Sequence, residues 1–394
     1  MFGRKSAGKK NPASRGNYTN IIVKHKLQKF YRIVLLLLVV VAVVAIAWIS
    51  HKNKVYTDYV VDERHDRTAS SNAHTVVLGK YILTYSNDGA NCSDTKGKVI
   101  WNETFEMQNP IVAINGSAVA IGDYNGRKIF VMNTKGSLGS ISTNLPIRSL
   151  SVSEDGIVAA VLDDSEVTWI YLYDANGEVK VTFKTTMSQS GYPIDVELSP
   201  NSNLAAVSYL SPKDGGIKSS VAFYNFGEVG QNEIDNYMSG YDYQAVVPYV
   251  EFMTSGLAFA VADDRIMFYE GNQKPVSKSE TLLEDEVQAV YHNEDYVALI
   301  FYDVTGEHKY VMRVFDSNGT LRLSKGFDLE YKSVVIENDV FYVYSDSECM
   351  IFNIFGTEKY KGTVDDTISL LIPGDSVNKM TVVSTNSIIN LQLE

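Results

Sequence analysis

Seven glycine-bearing turns recur along the chain at nearly even spacing, and this regularity constrains the fold more than any other feature. The turns end at Gly97, Gly136, Gly177, Gly227, Gly271, Gly319 and Gly356, so the steps are 39, 41, 50, 44, 48 and 37 residues. A period of forty-odd residues is that of propeller blades, each a four-stranded meander. One unit shows the grammar in full. The strands Ile111–Ile114, Ala118–Gly122 and Lys128–Met132 are separated by Asn115-Gly116 and Asp123-Tyr-Asn-Gly126. Asn133-Thr-Lys-Gly136 then leads into a last strand. Asn-Gly and Lys-Gly supply the positive φ that tight hairpins need. Full units start near residues 74, 109, 145, 192, 245, 286 and 329. The last, Ile368–Glu394, has only three strands. A spare strand, Val55–Val61, lies at the other end of this region. Pairing it with Ile388–Leu393 closes the ring and removes the open edges. The expectation is an all-β, eight-bladed propeller over residues 55–394, or a seven-bladed one if a unit is over-split.

The rest of the composition agrees. Twenty-five Tyr and 16 Phe against nine Pro suit strands, and two cysteines exclude a disulfide scaffold. Net charge is −12, although residues 1–32 carry nine Lys/Arg and no acid. The body is therefore strongly acidic, which argues against a nucleic-acid partner.

Ile33 to Ile49 is uncharged and apolar. As a helix these residues would span about 25 Å, near the lower limit for crossing a bilayer. The division expected is a basic cytoplasmic tail (1–32), a transmembrane helix (33–49) in contact with the lipid bilayer, a linker (50–54) and the propeller. The basic leader places the N-terminus in the cytoplasm and the propeller outside, giving a single-pass cell-membrane protein. Cleavage after Ala47 as a signal peptide is the competing reading.

Two stretches resemble known propeller families. Ser93-Asp-Thr-Lys-Gly-Lys-Val-Ile-Trp101 resembles the quinoprotein-type repeat, in which an Asp-x-x-x-Gly-Lys turn precedes a docking tryptophan. Ser151–Ala160 and Leu198–Ser208 resemble the Ser-Pro-Asp-Gly hairpin of WD40-like and TolB-like propellers. Only one repeat keeps the tryptophan, so no quinone cofactor is implied, and none of any other kind is expected. The whole plan of basic leader, apolar segment and degenerate propeller is similar to a bacterial membrane-anchored family of unknown function.

No catalytic motif stands out. The chain has no Gly-x-Ser-x-Gly, His-Glu-x-x-His, Gly-x-Gly-x-x-Gly or P-loop pattern. His65, His74, His292 and His308 show no metal-ligand spacing. Asp174-Ala-Asn-Gly177 and Asp316-Ser-Asn-Gly319 resemble the start of a calcium loop but lack its remaining ligands, so ordinary turns explain them.

Charge does distinguish the two faces of the expected ring. Turns between second and third strands share one face with the blade-to-blade loops. That face collects Asp163, Asp164, Glu166, Asp214, Asp263, Asp264, Glu284 and Asp285 among other acids, with few bases such as Arg265 and Lys309. The expectation is an outward acidic face that binds a protein or cationic envelope partner. Asp163, Asp164, Asp263, Asp264, Glu284 and Asp285 are its candidate residues. The function that follows is a non-catalytic interaction or scaffold module of the cell envelope. The alternative is a ligand-binding or hydrolytic propeller acting on sugars or peptides.

Overall fold

The computed structural model describes residues 27, 29–44, 54–70, 72–164, 167–187, 190–213 and 215–394. The chain divides into two units, Met1–Val55 and Tyr56–Glu394.

In the second unit, hydrogen bonding forms eight separate four-stranded antiparallel sheets. Each is a simple meander, as in blade 2: β6 (Pro110–Asn115), β7 (Ala118–Asp123), β8 (Lys128–Asn133) and β9 (Gly136–Ser142). The second strands are covered on both sides by neighbouring blades. Their sequences are accordingly apolar without alternation: β7, β19 (Leu257–Val261) and β27 (Val340–Tyr344) are buried nearly throughout. Outer strands such as β9 are mostly exposed. The core therefore consists of slabs between consecutive blades. One slab joins Phe223 and Val221 of blade 4 to Phe252, Met267 and Tyr269 of blade 5.

The recurring turn has a physical cause. Asp94, Asp174 and Asp316 each accept two backbone N–H groups in the turn they open, at 2.9–3.0 Å. The glycine three residues on takes φ of +81°, +87° and +76°. At such angles a Cβ is strained, which explains the conserved grammar of the repeat. It also explains the calcium-like sequences, because one oxygen of Asp174 and of Asp316 is already held by the backbone. The single repeat tryptophan behaves as the resemblance implies: Trp101 Nε1 donates to the carbonyl of Asn133 in the next blade at 2.8 Å.

The ring closes between the two ends of the propeller, as expected, but the closing strand shares only Tyr59–Val61 with the expected Val55–Val61. The eighth sheet runs β1-β32-β31-β30, with β1 at Tyr59–Asp66, β32 at Ser387–Leu393, β31 at Lys379–Val383 and β30 at Leu370–Pro373. Tyr59 faces Leu393 and Asp66 faces Ser387, with a bulge between Val61 and Glu63. The closing strand is thus shifted toward the C-terminus relative to Val55–Val61. It lies on the outer rim, where most of it is exposed. An apolar pattern is not needed there, so Asp62-Glu-Arg-His-Asp66 serves. Tyr56 instead reaches back to blade 7, where its N–H donates to the Lys359 carbonyl at 2.7 Å. Arg67 then joins blade 8 to blade 1. Its guanidinium donates to the Ser384 carbonyl and to the hydroxyls of Thr75 and Thr84, at 2.6–2.8 Å.

The first unit corrects the expected anchor. A helix covers residues 29–44, about 24 Å. No helix formed by described residues is long and apolar enough to cross a membrane. Lys29 and Arg32 lie within it, and the described residues beyond them, 33–44, extend about 18 Å. The single-pass localisation with an outer propeller is overturned by this finding, and the described residues give no support to bilayer contact through 33–49. Most of the basic leader and the cleavage-like Ala45-Ile46-Ala47 lie outside the described residues.

Candidate functional site: an acid-bearing face and an acid-lined channel

The six acids singled out in the sequence do lie on turns and links at one end of the blades. Asp163 and Asp164 end β11 (Val158–Asp164), and Asp263 and Asp264 form the turn after β19. Glu284 and Asp285 link β21 (Val276–Leu282) to β22 (Val287–His292). Backbone bonds tie these turns to the links beside them. Asp163 N–H donates to the Pro146 carbonyl, Asp263 N–H to that of Val246, and Leu283 N–H to that of Asp264, all at 2.8–3.1 Å.

Their charges are less exposed than the sequence suggests. Arg148 sits 3.0 Å from Asp163, Arg265 makes a two-pronged contact with Asp264 at 2.7 Å, and Arg313 sits 2.5 Å from Asp285. Arg148 and Arg313 belong to strands, β10 (Ile147–Val152) and β24 (Tyr310–Asp316), and reach the face by the length of their side chains. Assigning charge by turn position therefore misses them. Asp164, Asp263 and Glu284 are exposed and form no ion pair with a described residue. Tyr302 and Val304, in the second-to-third-strand turn of blade 6, are 55% and 78% exposed on the same face. Glu166 and Asp214 lie outside the described residues.

A second group of acids was not singled out from the sequence. First strands touch one another around the inside of the ring: β10 meets β14 (Tyr192–Leu198), and β14 meets β18 (Tyr249–Thr254). They carry Asp195, Glu197 and Glu251. Ser151 Oγ of blade 3 donates to Glu197 of blade 4 at 2.7 Å and accepts from Leu198 N–H at 2.9 Å. Val250 N–H of blade 5 donates to Asp195 of blade 4 at 2.8 Å. Glu251 accepts from Phe252 N–H at 3.0 Å, and its other oxygen lies 3.8 Å from His292 Nε2 of blade 6. His292 Nδ1 is buried and has no hydrogen-bond partner.

Burial dominates the electrostatics of this group. It pushes Asp195 up to about 6, against the opposing pull of the Val250 and Val196 N–H groups. It also pushes Glu251 up to about 8, with the negative charge of Asp195 adding to the rise. Glu197 is raised well above the carboxylate range by burial and then by the charges of Glu251 and Asp195. Burial lowers His292 to about 4, leaving the imidazole neutral. The side chains of Glu251 and His292 remain 19% and 27% exposed, so the group is walled in by the blades without being sealed from water. A signal was present in the sequence: Tyr192-Pro-Ile-Asp-Val-Glu-Leu198 puts two acids two apart on an inner strand. Only knowledge of which neighbouring acids share that space gives the signal meaning.

A cavity of about 710 Å³ lies elsewhere, between blades 3 and 4, lined by Phe183, Tyr209, Tyr224, Tyr237 and Ile234 among others. None of the channel acids lines it. Among the described residues, no group of three or more His, Cys, Asp or Glu is arranged to hold a metal ion. Cys92 and Cys349 are free and buried in blades 1 and 7.

Eight four-stranded meanders with an end strand completing the last define the chain as an eight-bladed β-propeller. It belongs to the family of unknown function DUF5711, which matches residues 52–393. No curated protein matches the chain. Among solved structures it is similar to BamB from Moraxella catarrhalis, at 14% identity and a TM-score of 0.49, over 85% of this chain and 100% of that one. It is also similar to BBS1N, solved in complex with ARL6DN, at 11% identity and a TM-score of 0.43, over 86% and 98% of the two chains. The sheet order of the chain itself carries the fold assignment.

Proposed function

We propose that this protein is a non-catalytic interaction module that docks a positively charged protein partner on the face of its second-to-third-strand turns and blade links. The observation behind this reading is the set of exposed acids there that form no ion pair with a described residue, Asp164, Asp263 and Glu284. Such charges raise the encounter rate with a cationic surface and cost little desolvation at the rim of an interface. Exposed Tyr302 and Val304 add apolar area of the kind an interface covers.

The ion pairs decide how this is tested. Neutralising all six candidate acids would remove the acid partners of Arg148 and Arg313 and leave Arg265 with Glu280 alone. Asp164→Asn, Asp263→Asn and Glu284→Gln together avoid that. A lysine-rich peptide titrated into the full-length protein should bind about tenfold more weakly at high than at low salt. The triple variant should lose most of the affinity with its melting temperature unchanged. A matched variant in other turns, Glu294→Gln, Asp295→Asn and Asp375→Asn, should bind as the parent does. Equal binding by both variants, or binding insensitive to salt, would refute the proposal.

The channel acids favour a second reading, a ligand-binding or hydrolytic propeller, because a general acid needs a raised pKa. It is the weaker reading because Ser151, Tyr249 and the N–H groups of Val250 and Phe252 are all engaged in holding the carboxyls. Hydrolysis of a sugar or peptide substrate that disappears in Glu251→Gln would establish it over the first.

A further inference from the structure

Three consecutive junctions of the inner rim are each spanned by a titratable side chain. Glu197 meets Ser151 between blades 3 and 4, Asp195 meets the Val250 N–H between blades 4 and 5, and Glu251 faces His292 between blades 5 and 6. We infer that the inner rim of blades 3 to 6 is a proton-operated switch, in which loss of protons from Glu197 and Glu251 loosens the channel wall at those blades.

The groups facing the switch come from four elements. β10 contributes the Ser151 hydroxyl, which bears on Glu197. β14 contributes Asp195 and Glu197 themselves. β18 contributes Glu251 and the Tyr249 hydroxyl, which bonds to Glu251, and burial raises Tyr249 so that it stays protonated. β22 contributes His292, whose ring also lies against Phe259 at 5.4 Å between centroids. No lysine or arginine is among the groups that act on Glu197 or Glu251. Ionising both acids would therefore set like charges beside Asp195 with no cation to offset them.

The direction of the effect follows from proton linkage. Both glutamates hold their protons more tightly folded than unfolded. Their contribution to stability is complete below the unfolded value of about 4.3 and is lost as pH rises through the folded value, about 8 for Glu251. His292 acts in the opposite sense. Being neutral when folded, it stabilises above about 6.5, and that contribution is lost as pH falls through about 4. The range from pH 6.5 to 8.5 therefore reads the glutamates with little interference from the histidine.

Over that range the melting temperature of the full-length protein should fall by about 5 °C. Glu197→Gln with Glu251→Gln, which keeps the shape of the protonated acids, should remove at least half of that fall. Amide hydrogen exchange, corrected for its intrinsic pH dependence, should accelerate in β14, β18 and β22 of the parent protein but not in blades 1 and 7. The same temperature fall in parent and variant, or acceleration spread evenly over all blades, would overturn the inference. If the double variant does not fold, infrared spectra of the unmodified protein decide. A protonated-carboxyl band present at pH 7 and lost by pH 9 supports the switch, and its absence at pH 7 overturns it.

Discussion

Deleting Tyr59–Asp66 is expected to cost the propeller about 5 kcal/mol, a large share of the stability of an ordinary domain. The strand is paired with β32 along its length, from Tyr59 opposite Leu393 to Asp66 opposite Ser387. Without it, β32 becomes an open edge, and Asp365 N–H loses its acceptor, the Tyr59 hydroxyl at 3.1 Å. Arg67 would also be displaced from Ser384, Thr75 and Thr84, which it joins across the seam. Chemical denaturation of the full-length protein and the deletion variant checks this, read as the shift in midpoint. An unchanged midpoint would show that ring closure contributes nothing, contrary to the pairing described.

Phe223→Ala is expected to destabilise by about 3–5 kcal/mol. Phe223 is fully buried between blades 4 and 5, with its ring 4.9 Å from Tyr269 and 6.4 Å from Phe252 between centroids. Removing it leaves a cavity beside the buried Tyr243–Tyr269 hydroxyl pair, 2.7 Å apart. Those rings cannot move in to fill the space without breaking the pair. Leu321→Ala is the control. Leu321 is 49% exposed on an outer strand, and its loss should change stability by less than about 0.5 kcal/mol. Similar midpoint shifts for the two variants would mean that the slabs between blades are not the core.

The contrast between Phe223 and Leu321 shows what could be read in the sequence. Second strands such as Ala118–Asp123 and Val340–Tyr344 are apolar because both of their faces are covered. Turns such as Asp316–Gly319 repeat because an Asx turn and a positive φ need those residues. Both requirements are local, so blade boundaries were legible and the blade count was narrowed to eight or seven. The closing strand was harder to place. An outer strand is not selected for apolarity, so the apolar Val55–Val61 drew attention away from the charged segment beside it.

Sequence by itself determined the repeat and the concentration of acids in one set of turns, and narrowed the blade count to eight or seven, because these depend on residues within a few positions of one another. Only the tertiary structure decided which charges survive and which acids interact. Arg148 neutralises Asp163 from a strand, and Arg313 neutralises Asp285 from 28 residues away. Glu251 lies 54 positions from Glu197 in the chain, yet its charge raises the affinity of Glu197 for protons. The physical reason is that charges act through space. Closing the ring brings inner strands from successive blades within reach of one another around a narrow channel, and no local pattern records that distance.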